Sequence, residues 1–263
     1  ERTAGALQGL SALDNLFLEN PALAMDQCRV ACAHMAEVTR EALDTAMSLL
    51  HDYDETKVAL VHENETIVDQ YEDRLGTYLV QVAKNEMQTK DSHTLSVLLH
   101  SIGDIERISD HAVIIANAAK EIYDKNLSFS EAAVEELEVF SAAVRKVVEI
   151  AMEAMKDEDL AMAGKVEPLE EVIDDLGDEM KKRHTDRLRE GRCTIELGFI
   201  LSDLTTSYKR IADHCSNIAV CLIQADNNEY ERHSYLNSLK EEDNQQFREQ
   251  FEEYGKEYAL PAR

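Results

Sequence analysis

The chain has 263 residues, enough for one large domain or two packed halves. Nine Gly, three Pro, 44% hydrophobic and 30% charged residues fit an all-helical protein and leave little room for a sheet. Its 53 acidic against 27 basic side chains leave a formal charge of −26 at pH 7. A surface so negative repels phosphodiester backbones and anionic headgroups, argues against nucleic acid as a partner, and favours cations. The five cysteines are odd in number, without framework or zinc spacing, as expected of reduced cytosolic thiols. No run of 18 apolar residues and no signal peptide is present. A chain that begins at Glu1 rather than Met is expected to be a fragment, with a place for a membrane-spanning segment upstream.

In chain order, residues 1–21 read as a leading segment that ends in Asn20-Pro21, a helix-start signal, since a first-turn proline loses no intrahelical bond. From Ala22 to about His51, apolar residues recur at spacings of three and four, as in an amphipathic helix. Asp54 caps a second helix running from Glu55 to about Met87, and a third runs from about Ser92 to Tyr123. The second unit, residues 126–225, repeats this plan. Ser128 with Glu131 reads as a capping box for a helix to about Met155. Asp157-Glu158-Asp159 opens a helix to about Arg189, and Gly191 terminates it at positive φ. A sixth helix runs from about Ile195 to Gln224, and residues 226–263 read as a polar tail with one short helix. Helices of this length reach roughly 45 Å at about 1.5 Å per residue. The expected fold is all-α: two tandem pseudo-symmetric three-helix bundles, residues 22–125 and 126–225.

Two signatures are duplicated in register. Glu65-Thr66-Ile67-Val68-Asp69 returns 105 residues later as Glu170-Glu171-Val172-Ile173-Asp174, and Arg107-Ile108-Ser109-Asp110-His111 returns 103 residues later as Arg210-Ile211-Ala212-Asp213-His214. Residues four apart share a helical face, so Glu65 with Asp69, Glu106 with Asp110, Glu170 with Asp174 and Asp213 with Asn217 each form one ridge. Antiparallel packing of the second and third helices would gather Glu65, Asp69, Glu106 and Asp110 into one oxygen-rich patch. Glu170, Asp174, Asp213 and Asn217 would form its counterpart. Oxygen donors on facing helices suit hard cations such as Mg²⁺, Mn²⁺ or iron.

A plainer reading stands beside each of these. Solvated carboxylates are the rule on an acidic helix. Arg107 with Asp110, and Arg210 with Asp213, have the spacing of intrahelical ion pairs. His111 and His214 could each make a single hydrogen bond between helices. Met152, Met155 and Met162 fit core filling. No Ser or Cys sits in a glycine elbow, and no Glu-x-x-His pair lies on a carboxylate-bearing helix, which argues against a hydrolase or a di-iron oxidase. No Arg cluster or glycine loop points to direct phosphate binding.

Taken together, Glu65-x-x-x-Asp69, Glu170-x-x-x-Asp174, the segment Asp104–His111 and the segment Tyr208–Ala219 resemble the PhoU family over roughly residues 22–225. Leu13–Ala24, and Lys181–Leu188 followed by Gly191, further resemble the PhoU-like cytoplasmic domain of bacterial sodium-dependent phosphate cotransporters. The resemblance implies regulation rather than catalysis. It implies a cytoplasmic domain that regulates or forms part of a Na⁺/phosphate cotransporter, or else a free-standing adaptor restraining phosphate uptake at the inner membrane. The partners it implies are a membrane phosphate transporter, in cis or in trans, a sensor kinase and a second copy of the chain. It also implies divalent or iron-type metal ions at the carboxylate clusters, which some relatives hold and others do not. A metal-dependent enzyme or metal store is the alternative of another class. One position departs from the pattern: Lys209 stands where Glu106 stands in the first unit, and is expected to weaken the second site or to pair with Asp213.

Overall fold

A computed structural model describes residues 5–227 and 244–262. Among these, six long helices and a shorter seventh carry the fold, and there is no strand: α1 (Pro21–Leu49), α2 (Glu55–Val82), α3 (Thr89–Asp124), α4 (Glu131–Asp157), α5 (Val166–Arg189), α6 (Ile195–Asn227) and α7 (Gln245–Glu257). Helices α1 to α3 pack on one another as the first bundle, and α4 to α6 as the second, so the expected duplication is present.

Local chemistry sets the helix ends. Asn20 accepts the Leu23 amide, with Pro21 in the first turn behind it, and Asp54 accepts the Thr56 amide at 2.8 Å. Gly191 lies at φ +70°, the left-handed conformation that ends α5. Three expectations need correction. The cap of α4 is Ser130, whose hydroxyl accepts the Ala133 amide, not Ser128. Helix α2 stops at Val82 rather than Met87, because the chain turns early to bring Asn85 against the Leu18 carbonyl. The helix expected from Asp159 onward is interrupted: Asp159 caps a single turn, Leu160–Ala163, and α5 starts afresh at Val166. Glu158, at φ +52°, reverses the chain ahead of that turn.

Each bundle buries one stripe of every helix, and one continuous apolar core runs through both. Tyr71, Leu75 and Leu79 of α2 and Met25, Met35 and Met47 of α1 are buried in the first half of that core; Phe140 and Tyr208 pack edge to face in the second. Tyr208 is fully buried, and its hydroxyl bonds Ser141 at 2.7 Å. Burying a ring of this size stabilises the fold by about 2 kcal/mol, provided the hydroxyl finds a partner.

The bundles meet chiefly through α3 and α6, the most extensive helix pair among the described residues. The two run antiparallel: Lys125 at the end of α3 pairs with Glu196 at the start of α6, while Asp104 in mid-α3 meets Asn217 further along α6. The leading segment folds onto α2, where Tyr71 and Tyr78 donate to the carbonyls of Ala6 and Asp14. Helix α7 lies against α5, with Phe251, Tyr254, Tyr258 and Leu260 on the core. Of the polar tail expected to hold one short helix, residues 228–243 lie outside the described residues.

Candidate functional site: paired carboxylate ridges and a polar seam

The first ridge forms between α2 and α3. Glu65 feels the negative charge of Asp69 and Asp110, and Asp69 that of Asp110, so the four carboxylates expected to converge face one another. Burial first, and then Asp110, push Glu106 up to about 7; Asp69 and Glu72 add to this and Arg107 opposes it. Glu72 was not expected here, although it lies three residues past Asp69 on the same face. Arg107 sits nearest Glu106, at 3.6 Å, rather than pairing with Asp110. One turn along, His62 and Asn117 approach to 3.3 Å.

The second ridge lies between α5 and α6 and is more enclosed. Burial pushes Glu170 up to about 8, with Glu167, Asp174, Glu171 and Asp213 adding repulsion in that order. The ligand set expected from the repeat shifts here. Carboxylate oxygens of Glu167, Glu170 and Glu171 all lie within 4.8 Å of one another, the only such group among the described residues. Glu167 is buried and accepts a hydrogen bond from Ser216 at 2.6 Å. Glu167 was legible as the residue one turn before Glu170, but its first-unit equivalent is His62, so the repeat did not mark it.

Lys209 also differs from expectation. Its ammonium lies 3.2 Å from Asp174 and 3.0 Å from Asp178, both on α5, and not on Asp213. Gly177 allows this crossing, since a Cβ there would come within 2.9 Å of the Lys209 stem. Asp174 is thereby engaged by a cation, and Asp213 pairs with Arg210 at 3.2 Å. Asn217 does not join the ridge at all: its amide donates to Asp104 at 2.9 Å, across the bundle boundary. A helical azimuth places Asn217 on a face but does not say which neighbouring helix that face meets.

Asp104 is the centre of a polar seam between the bundles, and the sequence did not single it out as a site residue. It bonds His214 Nδ1 at 2.8 Å as well as Asn217. The equivalent histidine, His111, stacks at a tilt with its ring centre 5.9 Å from that of His214. Burial, then His214, depress His111 to about 4, so it is neutral at physiological pH, and its Nδ1 is buried without a partner among the described residues. The inter-helical reading thus holds for His214 and fails for His111. Elsewhere, Arg183 and Arg187 of α5, part of the basic run 181–192, converge on Glu136 of α4, so an arginine cluster is present that the sequence reading did not recognise, because its carboxylate comes from another helix.

Chemically, both ridges crowd carboxylates that cannot all ionise cheaply, so each can take up a proton or a hard cation. The donor set fits a metal best at Glu167, Glu170 and Glu171, where three oxygens already cluster. None of the five cysteines is in a disulfide, and burial raises Cys28 and Cys32 to about 12, which leaves those two inert as nucleophiles.

Comparison with known proteins supports the same plan. The chain is 24% identical over 185 residues, 70% of its length and 79% of the relative's, to the phosphate-specific transport system accessory protein PhoU homolog 1 of Thermotoga maritima. It is similar to the crystal structure of PhoU from Pseudomonas aeruginosa, with a TM-score of 0.72 and 21% identity over 78% of this chain and 97% of that one. The phosphate transport system regulatory protein PhoU from Streptococcus pneumoniae gives the same TM-score at 16% identity, over 81% and 99% of the two chains. The PhoU domain model matches twice, at residues 32–119 and 137–222, one match to each bundle, and the chain therefore belongs to the PhoU domain family.

Proposed function

We propose that this chain is a regulator of phosphate uptake that works as a free-standing adaptor on a membrane phosphate transporter, at the cytoplasmic face, and not as an enzyme. The observation that carries this reading is the double family match, one per bundle, joined to a relative named as an accessory protein of a phosphate-specific transport system. The geometry supports it: the carboxylate clusters are ridges along the helices, and the polar contacts between the bundles form a seam. A sensor kinase and a second copy of the chain are the further partners that this reading carries.

The ridges are the element through which occupancy is read. Glu167, Glu170 and Glu171 in the second, and Glu65, Asp69, Glu106 and Asp110 in the first, would hold a divalent or iron-type ion. Such an ion supplies positive charge that relieves the crowded carboxylates. It shifts the regulator between states only so far as it binds one bundle geometry more tightly than another.

One observation favours a second reading, as the soluble part of a Na⁺/phosphate cotransporter. The cotransporter-like leading segment is folded onto α2 by the Tyr78 and Asn85 hydrogen bonds. The coding sequence upstream of Glu1 decides between action in cis and in trans. The regulatory reading itself is tested by deleting the gene and following radiolabelled phosphate uptake across a range of external phosphate. Faster uptake that no longer falls in high phosphate is expected; unchanged uptake and unchanged response would refute it.

A further inference from the structure

The last turns of α5 reverse the charge of the molecule locally, with Lys181, Lys182, Arg183, Arg187 and Arg189 followed by Arg192. Two of these residues turn inward. Arg183 and Arg187, one helical turn apart, both reach Glu136, which is 3% exposed. Arg187 Nη1 donates to both Glu136 oxygens, at 2.9 and 3.1 Å, and Arg183 Nη1 donates to one of them at 3.2 Å. Glu179 bonds Arg183 Nε at 3.0 Å from a half-exposed position. The two guanidinium groups are thus matched by two carboxylates, of which Glu136 is buried with Arg187 while Glu179 and Arg183 are part-buried.

Arg187 itself is 7% exposed, and its Nε and Nη2 are both buried with no hydrogen-bond partner among the described residues. These two nitrogens lie on one edge of the planar guanidinium and present parallel N–H donors, the arrangement that grips an oxyanion by two oxygens. A buried donor on a charged group is costly to leave unmade. Close by, the end of the chain supplies a neutral oxygen where an anion would place a charged one: the Pro261 carbonyl accepts from Arg183 Nη1 at 2.7 Å. Helix α7 holds that end in place through Phe251 and Tyr254, and Tyr258 is buried beside them.

We infer that the Arg183–Arg187 pair is a binding site for inorganic phosphate, closed by the C-terminal segment, which lifts its Pro261 carbonyl when the anion enters. Phosphate meets the chemistry better than sulfate. Protonated phosphate can donate to the carboxylates of Glu136 and Glu179, whereas sulfate at neutral pH has no proton to give. A free anion also suits a sealed edge better than an ester with an organic group. This site lies apart from the carboxylate ridges and stands whether or not the chain acts on a transporter, so its test and the uptake test fail separately.

The experiment is calorimetric titration of the full chain with inorganic phosphate, with sulfate and glycerol phosphate as comparators at matched ionic strength. Two variants accompany it: Arg187→Lys, which keeps the charge and removes the two-pronged edge, and a chain trimmed after Tyr258, which removes the closing carbonyl. One saturable phosphate event is expected. It should be about tenfold or more weaker in Arg187→Lys, as the loss of a charged double hydrogen bond implies, and tighter in the trimmed chain. Either comparator should bind more weakly than phosphate. The proposal is overturned by the absence of saturable phosphate binding in both full and trimmed chains, by unchanged affinity in a folded Arg187→Lys, or by sulfate or the ester binding as tightly as phosphate.

Discussion

Glu106 and Glu170 hold their protons to about 7 and about 8, against an ordinary 4.5, chiefly because burial and neighbouring carboxylates disfavour the charged forms. A carboxyl group whose folded pKa is raised binds protons more strongly when folded, so its contribution to stability falls as pH rises from 4.5 through the folded value. Metal-free protein should therefore melt at lower temperature at pH 8 than at pH 5, and Glu170→Gln should flatten that slope. A thermal melt across this range in chelator checks both; a wild-type midpoint that is level or rises would contradict them. Lys209 works in the opposite direction to the carboxylates. Lys209→Gln removes a cation from the second ridge and frees Asp174 and Asp178, and should tighten divalent-ion binding several-fold by titration calorimetry. At this scale the sequence showed which carboxylates of the first ridge converge but not all their neighbours. Glu65, Asp69 and Asp110 converge as their spacing suggests. Lys209 instead finds its partners on a neighbouring helix, and Asn217 turns to the other bundle, because each outcome depends on helix rotation that no local spacing encodes.

The helices themselves were largely readable, since amphipathic spacing and capping residues act within a turn or two. What escaped the sequence were choices between adjacent signals. Ser128 and Ser130 can both cap, and it is Ser130 that accepts the Ala133 amide. Ser130→Ala should cost about 1 kcal/mol in chemical denaturation, the usual loss for an N-cap, whereas Ser128→Ala should change little. The acidic run at 157–159 reads as a single helix start, yet it is a reversal followed by a one-turn helix. Glu158 tolerates its left-handed backbone because its carboxylate is engaged by Thr94 at 2.7 Å and Arg29 at 3.3 Å, long-range partners invisible from sequence. Gly191→Ala, by contrast, forces a side chain into the φ +70° position and should destabilise by about 1 kcal/mol or more in the same assay.

For the whole molecule, the duplication foretold two bundles, but the manner of their meeting was not foretold. The antiparallel α3–α6 seam depends on Asp104, which satisfies a histidine and an asparagine from the other half at once. Asp104→Ala removes the partner of two part-buried groups and should destabilise the fold by about 1 kcal/mol, more than loss of an exposed aspartate would. The seam and the two ridges share α3 and α6, so whatever occupies a ridge acts on the helices that join the bundles. On the proposed regulatory reading, that coupling is the physical means of response. The most direct measurement is phosphate uptake in cells lacking the gene, restored with either the wild-type chain or the Glu106→Gln, Glu170→Gln double variant at equal expression. The wild type should restore the restraint on uptake and the folded double variant should not; full restraint by the double variant would show that the ridges are not the working parts.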